Sequence, residues 1–357
     1  MPNTIISVGD TYRIFDSSVR TYDSLPVGTY TINFSQMEGF SLSQVIDLAP
    51  PTTKVYGNRE AKVAKIVRAY NSMDRSLGVL LSGDKGQGKS MFLRMVADEF
   101  IKSGLPVVRV TQNYPGVADF IDSLGECVVV FDEFEKVFSK SDNEQDQFLP
   151  MFDGVSSVKR LYCVTINDVY RVSDYMVNRP GRFHYHLRFD YPTKDEIRDY
   201  VGDEVASVTD EQVASILNFA DRVNINYDHL RAIAFELNMD PSGQVSEIVE
   251  DLNIKPMGSD SFTYRIAFEK GKMFKREASV SPFTEDTVSI WLEVPGLYEK
   301  FTFSTDNIRR DESKNVFFVD GANLSHEMDA EDLEKFGNPV RMEISVKGQQ
   351  RYSYGAF

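Results

Sequence analysis

The middle of the chain alternates short apolar runs with amphipathic segments. Short segments rich in apolar residues predict strands at residues 79–81, 105–110, 127–131, 161–166 and 186–189, and the segments at 79–81, 127–131 and 161–166 are typical of buried strands. Amphipathic segments lie between several of these runs. In one of them, residues 91–101, the side chains of Phe92, Met95, Val96 and Phe100 recur at helical spacing. This alternation predicts an α/β domain over residues 51–192.

The N-terminal segment, residues 1–50, has a different pattern. Residues 11–15 and 29–34 alternate with period two, and residues 25–28 predict a turn between two strands. A β-rich segment of this size buries little apolar surface by itself. We therefore expect it to pack on a neighbouring domain, with Pro50-Pro51 as the joint.

Two further domains are predicted after the α/β region. Residues 193–255 carry helical periodicity throughout, which indicates a small helical subdomain. Residues 256–357 are β-rich, and strands separated by polar turns favour a small sandwich or barrel. The strands predicted there are residues 262–268, 288–294, 300–303, 316–319 and 340–346, with one helix at 330–336.

A glycine-rich stretch follows the first buried strand of the α/β region. Gly83, Gly88, Lys89 and Ser90 fit the P-loop pattern G-x-x-x-x-G-K-[ST]. The glycines let the backbone fold around a phosphate with its N–H groups pointing inward, and the next helix offers its positive end. Lys89 can then reach the β- and γ-phosphates, and the Ser90 hydroxyl can bind Mg²⁺. The sequence therefore predicts a nucleotide-binding loop.

Two carboxylates follow the buried run at residues 127–131. Asp132 is suited to hold a metal ion directly or through water, and Glu133 is suited to polarise an attacking water. An acidic pair after a strand is more often a solvated turn or a helix cap. Downstream of a P-loop, the hydrolytic interpretation is preferred, and Ser90 and Asp132 become the predicted Mg²⁺ ligands.

Polar side chains of possible functional importance also occur at the end of the run at residues 161–166 and in the segment that follows it. Asn167 ends the run at 161–166 and is suited to contact the γ-phosphate and the water. An Asn in that position is usually a turn residue, so its assignment depends on its neighbours. Arg179 and Arg182 lie three residues apart across a Pro-Gly bend, which presents two guanidinium groups close together.

Composition excludes several other classes of protein. The chain has 54 acidic and 39 basic residues and a formal net charge of −15, which argues against general affinity for a nucleic-acid backbone. Cys127 and Cys163 both lie in predicted buried strands, so we expect core thiols rather than a disulfide or a metal site. No apolar run approaches the roughly 20 residues of a membrane helix, and the N-terminus lacks a secretory signal. We expect a cytoplasmic protein without a membrane partner.

Residues 55–254 resemble the AAA clade of the AAA+ ATPases, a group of ring-forming machines that includes the AAA proteases and protein unfoldases. Besides the two nucleotide motifs, three segments carry the resemblance. Residues 147–154 (QFLPMFDG) resemble Q-L-L-x-x-M-D-G, residues 165–167 (TIN) resemble the sensor-1 T-T-N, and residues 179–183 (RPGRF) match R-P-G-R-F. The resemblance implies a P-loop AAA+ core over residues 51–192, with residues 193–255 as a helical lid that couples nucleotide state to motion.

The resemblance also implies roles for individual residues. Asn167 corresponds to sensor 1, and Arg179 and Arg182 correspond to arginine fingers that enter the neighbouring subunit's site. A homo-oligomeric ring, a hexamer in this family, is therefore expected. The predicted catalytic residues are Glu133, Asn167, Arg179 and Arg182. The predicted nucleotide-binding residues are Tyr56, Gly57, Gly83, Asp84, Lys85, Gly86, Gln87, Gly88, Lys89, Ser90, Met91 and Asp132, with ATP and Mg²⁺ as the ligands.

Some positions depart from the family pattern and leave alternatives open. Tyr114 falls where the family's pore loop lies, and it can either project into an axial channel or pack inward as a core aromatic. Tyr227 stands where Gly is usual in the lid, which puts a nucleotide contact there in doubt. Arg231 can act as a sensor-2 arginine or lie exposed on a helix.

The predicted function is an ATP-hydrolysing ring that remodels or threads a protein substrate. An AAA+ ATPase acting on nucleic acid, such as a helicase loader or a replication factor, is the main alternative. The acidic charge and the absence of Lys and Arg from residues 111–119 favour a protein substrate. An ATP-binding structural ring is a third possibility, against which the intact pair Asp132 and Glu133 speaks. A monomeric P-loop kinase would not need Arg179 and Arg182.

Overall fold

A computed structural model gives the fold of the chain. It describes residues 4–15, 19–48, 54–153, 158–177, 182–220, 223–254, 262–280, 282–283, 286–294, 296–311 and 316–346. The chain divides into two compact units. The first unit comprises Met1–Glu204 with Asn226–Arg231, and the second comprises Val205–Ile225 with Ala232–Phe357.

The first unit alternates strands and helices, as the apolar pattern predicts. Its strands are β1 (Thr4–Val8), β2 (Thr11–Phe15), β3 (Thr29–Ser35), β4 (Gly39–Val45), β5 (Leu77–Ser82), β6 (Val107–Val110), β7 (Val128–Phe131), β8 (Leu161–Ile166) and β9 (Tyr185–Arg188). Its helices are α1 (Arg59–Ser72), α2 (Lys89–Lys102), α3 (Val117–Ser123), α4 (Phe134–Val137), α5 (Leu149–Phe152), α6 (Asp174–Val177) and α7 (Lys194–Glu204). The five predicted strands are confirmed as β5 to β9, and β5, β7 and β8 are buried along their whole length.

Seven strands of the first unit form one sheet in the order β4-β3-β6-β7-β8-β5-β9. All neighbours are parallel except β3 and β4, which form an antiparallel hairpin. Alternate residues of each strand face opposite sides of the sheet. In β7, Val129 and Phe131 join a core cluster with α3, α4 and α5, whereas Val128 and Val130 join a cluster with α1 and α2. Both faces of the sheet are therefore covered, which explains why the run at residues 127–131 is apolar without interruption.

The β3–β4 hairpin widens the sheet of the α/β domain. Tyr30 pairs with Val108 of β6, so β3 is a parallel neighbour of a strand much later in the chain. Phe40 of β4 stacks on Phe120 of α3, with ring centroids 4.7 Å apart. The expected packing of the N-terminal segment on a neighbour thus takes the form of strand addition. β4, in which small and polar residues predominate, was not anticipated from the pattern.

The second unit contains helices and an antiparallel β region. Its helices are α8 (Asp210–Ala220), α9 (Tyr227–Met239, which begins in the first unit), α10 (Val245–Asp251) and α11 (Ala330–Phe336). Its strands are β10 (Phe262–Phe268), β11 (Met273–Ala278), β12 (Thr287–Val294), β13 (Leu297–Ser304), β14 (Arg309–Asp311), β15 (Val316–Asp320) and β16 (Pro339–Val346). One sheet has the order β11-β10-β16-β15-β14, and the β12–β13 hairpin shares its apolar core.

The predicted strands and helix of this β region all exist, and β11 and β14 are additional. β14 consists of only three residues, Arg309, Arg310 and Asp311, so there is no alternation of apolar and polar residues from which a strand could be predicted. Within the part of the chain that the structure describes, no helix is long and apolar enough to cross a membrane.

Candidate nucleotide-binding and hydrolysis site

The register of three parallel strands, β5, β7 and β8, brings the predicted motifs to one edge of the sheet. Ser82, the last residue of β5, pairs with Ile166 of β8, so Gly83 and Asn167 leave their strands side by side. Phe131 of β7 pairs with Val164 of β8, which places Asp132 beside Thr165. Carboxyl ends of neighbouring parallel strands are the usual location of ligand sites in α/β sheets.

The P-loop connects β5 to α2. Gly83, Gly86 and Gly88 have φ values of +146°, +76° and +85°, a region in which a side chain would be strained. Lys89 begins α2, and its buried ammonium donates hydrogen bonds to the carbonyl oxygens of Gly83 and Asp84. Burial lowers the pKa of Lys89, and the carboxylate of Asp84 opposes that shift. The loop therefore curls around the ammonium group.

The other predicted P-loop residues have distinct environments. Asp84 accepts a hydrogen bond from the Tyr191 hydroxyl at 2.8 Å. Lys85 and Ser90 are exposed, and Met91 is half-buried. Gln87 is completely buried, and the structure gives no hydrogen-bond partner for either polar atom of its side chain. A ligand in the loop would find both an exposed hydroxyl and a buried amide.

Thr165 fixes the first carboxylate after β7. Its hydroxyl donates to Oδ1 of Asp132 at 2.7 Å and accepts a hydrogen bond from the backbone N–H of Glu133 at 2.7 Å. One side chain thus holds two consecutive residues of the acidic pair. The sequence marks Thr165 only as part of the TIN segment, and its hydrogen bond to Asp132 depends on the pairing of β7 with β8.

Glu133 adopts an unusual backbone conformation directly before α4. Its φ and ψ are both 51°, a left-handed conformation that is uncommon outside glycine and often marks functional sites. One carboxylate oxygen is 2.5 Å from Nζ of Lys136, and the other accepts a hydrogen bond from Nδ2 of Asn167 at 3.1 Å. The hydrogen bond from Lys136 lowers the pKa of Glu133, with a smaller contribution from Asn167. Glu133 is thus held as a carboxylate.

Glu135 is a further member of this cluster that the sequence did not single out. Its Oε1 accepts hydrogen bonds from the backbone N–H of Asn167 at 2.9 Å and from Nδ2 of Asn167 at 3.0 Å. Glu135 belongs to α4, and its side chain is buried next to Asn167, the residue that follows β8. The amide of Asn167 is therefore shared between Glu133 and Glu135. The only available signal was the extra carboxylate in the sequence Asp-Glu-Phe-Glu.

Tyr56 and Gly57 precede α1. The Tyr56 ring is buried against Tyr200 and Tyr227, with ring centroids 5.0 and 6.3 Å apart, while Gly57 is exposed. Burial raises the pKa of Tyr56 and also raises the pKa of Tyr227 to about 12. The Tyr56 side chain thus belongs to an aromatic cluster beside the loop, and its predicted nucleotide contact stays a prediction. Arg231 is exposed, and its Nη1 lies 3.7 Å from Oδ1 of Asp228 on the same helix.

Of the two predicted arginine fingers, only Arg182 lies within the described residues. Arg179 lies outside the described residues. Arg182 is buried, with Nε and Nη2 donating to the two carboxylate oxygens of Asp153 at 2.7 and 3.0 Å. Its Nη1 donates to the carbonyl of Tyr175. Within a single chain, Arg182 is thus engaged with its own α5–α6 region, and its action on a neighbouring subunit stays a prediction.

The predicted pore-loop residue Tyr114 is half-buried on the N-terminal hairpin. Its ring lies 5.7 Å from that of Phe34 and 6.4 Å from that of Phe40, and its hydroxyl donates to Gln112. These contacts correspond to the alternative in which Tyr114 packs inward. Both predicted core thiols, Cys127 and Cys163, are free and buried.

Comparison with known proteins matches this arrangement to one family. The model of the family described as "ATPase family associated with various cellular activities (AAA)" matches residues 79–191, which run from β5 to just before α7. Residues 79–191 form an AAA ATPase module. The match contains the P-loop, the acidic pair, Asn167 and Arg182. No curated protein shows significant similarity to the chain.

Mg²⁺ is the metal ion that the AAA module implies, and the candidate ligands fit it. Ser90 offers an exposed hydroxyl, and Asp132 offers a carboxylate oriented by Thr165. Across the described ranges there is no group of three or more His, Cys, Asp or Glu side chains that could hold a metal ion alone. Two protein oxygens are the set expected when Mg²⁺ is completed by nucleotide phosphates and water.

Proposed function

We propose that the AAA module hydrolyses ATP and that the chain works as a homo-oligomeric ring that remodels a protein substrate. The observation that carries the proposal is the position of Asn167. Its amide nitrogen lies 3.1 Å from a carboxylate oxygen of Glu133, at the sheet edge where the P-loop begins. A water-activating carboxylate and a polar sensor therefore meet beside the place where a γ-phosphate would lie.

Each residue of the cluster then has a role that its contacts support. The P-loop amides and Lys89 bind and orient the phosphates. Glu133, kept ionised by Lys136, takes the proton of the attacking water as general base, and Asn167 orients Glu133 and the γ-phosphate. Ser90 and Asp132 would hold Mg²⁺, which supplies charge neutralisation on the phosphates when it is bound.

Assembly into a ring is part of the proposal because Arg182 has no described contact with the acidic cluster of its own chain. Its recorded partners are Asp153 and Tyr175. An arginine that stabilises the transition state is commonly supplied by a neighbouring subunit and accelerates hydrolysis by roughly 10³–10⁵-fold. Arg182, and Arg179 beside it in sequence, are the candidates for this role.

A protein substrate is favoured over nucleic acid by charge. The chain has a formal net charge of −15, and no Lys or Arg occurs in residues 111–119, the loop and helix start that follow β6. A channel for single-stranded nucleic acid would combine basic side chains with its aromatics.

Two variants test the hydrolytic proposal. Lys89→Ala removes the main phosphate contact, so we expect loss of tight Mg·ATP binding by calorimetry. Glu133→Gln keeps the phosphate contacts but removes the base, so we expect ATP binding close to that of the parent and a loss of turnover of about 10²–10⁴-fold.

Glu99→Gln is a matched control, since Glu99 is an exposed glutamate on α2 that pairs with Lys102. It should release phosphate at the parental rate. Hydrolysis by Glu133→Gln at the parental rate would show that another group activates the water. Failure of the parent to bind ATP in the presence of Mg²⁺ would remove the proposal as a whole.

A further inference from the structure

Consecutive carbonyl groups of the P-loop accept hydrogen bonds from a segment far away in sequence. Nδ2 of Asn226 donates to the carbonyl of Lys85 at 3.3 Å. The backbone N–H of Tyr227 donates to the carbonyl of Gly86 at 3.1 Å. Tyr227 is the first residue of helix α9 and Asn226 directly precedes it, and both belong to the same compact unit as the P-loop.

The next carbonyl of the loop is held by Arg59. Nη2 of Arg59 donates to the carbonyl of Gln87 at 2.9 Å. The guanidinium carbon lies 5.0 Å from the centroid of the Tyr227 ring and 5.4 Å from that of Phe189. Two aromatic contacts of this kind hold the cation in place.

Gly88 makes room for this arrangement. A β-carbon at Gly88 would lie 2.3 Å from Nη1 of Arg59. The guanidinium thus occupies the space that a side chain would need at this position of the loop. A glycine here serves the contact with Arg59 as well as the left-handed backbone of the loop.

The hydrogen bonds to these carbonyls also determine the direction in which the following N–H groups of the P-loop point. A trans peptide unit is planar, and its C=O and N–H point in opposite directions. The described residues contain no cis peptide bond. A partner that fixes the carbonyl of one residue therefore fixes the direction of the following N–H. Holding the carbonyls of residues 85, 86 and 87 aims the N–H groups of Gly86, Gln87 and Gly88 away from those partners.

We propose that Arg59, Asn226 and Tyr227 form an outer brace that orients three successive P-loop amides for phosphate binding. Arg59 is its principal positioning residue, because it is charged and held by two rings. The brace touches no phosphate itself. Its effect on affinity comes from preorganising groups that would otherwise have to be ordered when the ligand binds.

This inference rests on the proposed ATP-binding function, and it makes a distinct prediction about which part of the ligand is affected. The amides that the brace orients are those of a phosphate-binding loop. Loss of the brace should weaken ATP and a phosphate chain without base or sugar by the same factor. If Arg59 instead contacted the base or the ribose, only ATP would be affected.

The experiment measures binding of Mg·ATP and of inorganic tripolyphosphate to the full chain by calorimetry. Arg59→Ala should raise the Kd of both ligands about ten-fold, which corresponds to about 1.4 kcal/mol, because it removes a charged donor to the Gln87 carbonyl. Asn226→Ala, which removes a neutral donor, should raise both by about three-fold. Arg59→Lys should recover part of the loss, because an ammonium can donate to the same carbonyl.

Arg68→Ala is the matched control, because Arg68 lies on the same helix α1 with an exposed side chain. Its Kd values should equal those of the parent. With Arg59→Ala, KM for ATP should rise and kcat at saturating ATP should stay within about two-fold, because the brace does not touch the reacting atoms. A thermal melt identifies a variant that fails to fold. If Arg59→Ala fails, Arg59→Lys and Asn226→Ala carry the same comparison.

Two results would overturn the brace. The first is unchanged Kd for both ligands in all the brace variants while Lys89→Ala still abolishes binding, which leaves the proposed function intact. The second is weaker binding of ATP alone, which would assign Arg59 to the base or ribose. A parent chain that binds neither ligand would overturn the proposed function and the brace together.

Discussion

The acidic cluster around Asn167 and the cluster around Arg182 both belong to the AAA module, and they differ in what their contacts leave available. Asn167 donates hydrogen bonds to Glu133 and Glu135, and Thr165 links Asp132 to the backbone of Glu133, so these residues form a network at the sheet edge beside the P-loop. Around Arg182, each of the three guanidinium nitrogens donates to Asp153 or Tyr175. The first cluster brings the proposed hydrolytic groups together within one chain, whereas in the second the proposed arginine finger is bound to its own chain.

The two clusters also differ in whether their proposed functions require a second subunit. Carboxylates and an amide that act on water can be preorganised by hydrogen bonds from neighbouring strands of one sheet. An arginine that acts in another subunit must be presented at a surface, so its resting contacts compete with its action. If Arg182 acts on a neighbouring subunit as proposed, its contacts with Asp153 and Tyr175 must change when the ring assembles.

The largest expected effect tests whether Arg182 acts across an interface. Arg182→Ala chains and Lys89→Ala chains should each be nearly inactive alone, with losses of roughly 10³–10⁵-fold for the arginine. Mixed rings should recover part of the ATPase activity, because some interfaces pair an intact P-loop with an intact arginine. Phosphate release is measured as a function of mixing ratio. Absence of recovery in verified mixed rings would assign Arg182 to its own chain.

The next effect tests the resting contact of Arg182. Asp153→Ala leaves a buried guanidinium without its carboxylate, so the free energy of unfolding should fall by about 3–5 kcal/mol. The measurement is chemical denaturation of the full chain. Asp195→Ala breaks the exposed pair with Arg198 and should cost less than about 1 kcal/mol. Equal losses in the two variants would mean that Arg182 is solvated rather than buried.

A smaller effect is expected in the cluster around Asn167. Glu135→Ala should lower kcat about ten-fold, since it removes two hydrogen bonds that orient Asn167. In the double variant with Asn167→Ala, the loss should equal that of Asn167→Ala alone, because Glu135 acts through Asn167.

Glu135→Gln keeps an acceptor oxygen for both hydrogen bonds and should recover most of the activity. Additive losses in the double variant would instead show that Glu135 contributes independently of Asn167.

The smallest expected effect concerns pH. Lys136 lowers the pKa of Glu133, so Lys136→Ala should raise that pKa toward its ordinary value. The active form is the carboxylate, and activity is lost as pH falls through the pKa. The acid limb of the kcat/KM profile should therefore move to higher pH in Lys136→Ala, with activity near pH 8 changed by less than about two-fold. Lys102→Ala, on the exposed face of α2, should leave the limb in place. If the acid limb does not move in Lys136→Ala, then Lys136 does not influence the pKa of the group whose protonation abolishes activity.

Much of the sheet could be predicted because its strands are buried on both faces. The run from Cys127 to Phe131 is apolar without interruption, and the polar residues that follow it mark the sheet edge at which the candidate site lies. β4 was missed because Gly39–Val45 contains Ser41, Ser43 and Gln44 and lies at the sheet edge, where only part of the strand is covered. The N-terminal hairpin was recognised as β, but its partner β6 was not, since sequence periodicity carries no information on strand order.

Site residues that belong to a motif could be assigned from spacing, whereas those that act by tertiary contact could not. Lys89 and Asp132 follow from local patterns. Arg59 is a helix residue on α1, and its place beside Gln87 depends on how α1 packs on the sheet. Thr165 was visible in the sequence, but its bond to Asp132 requires the β7–β8 register. The burial of Arg182 depends on Asp153, which no short motif connects to it.

The addition of β3 to the sheet has a consequence for how the protein can be divided. The family match begins at residue 79, yet the edge of β6 is paired with Thr29, Tyr30 and Thr31. A fragment cut at the family boundary would keep the whole P-loop and acidic cluster but expose the backbone groups of β6. An unpaired strand edge is a template for association with other chains. During synthesis, β3 leaves the ribosome well before β6 and is ready to cover that edge as soon as it forms. We expect recombinant fragments that start after residue 48 to aggregate, and fragments that start at residue 19 to stay soluble.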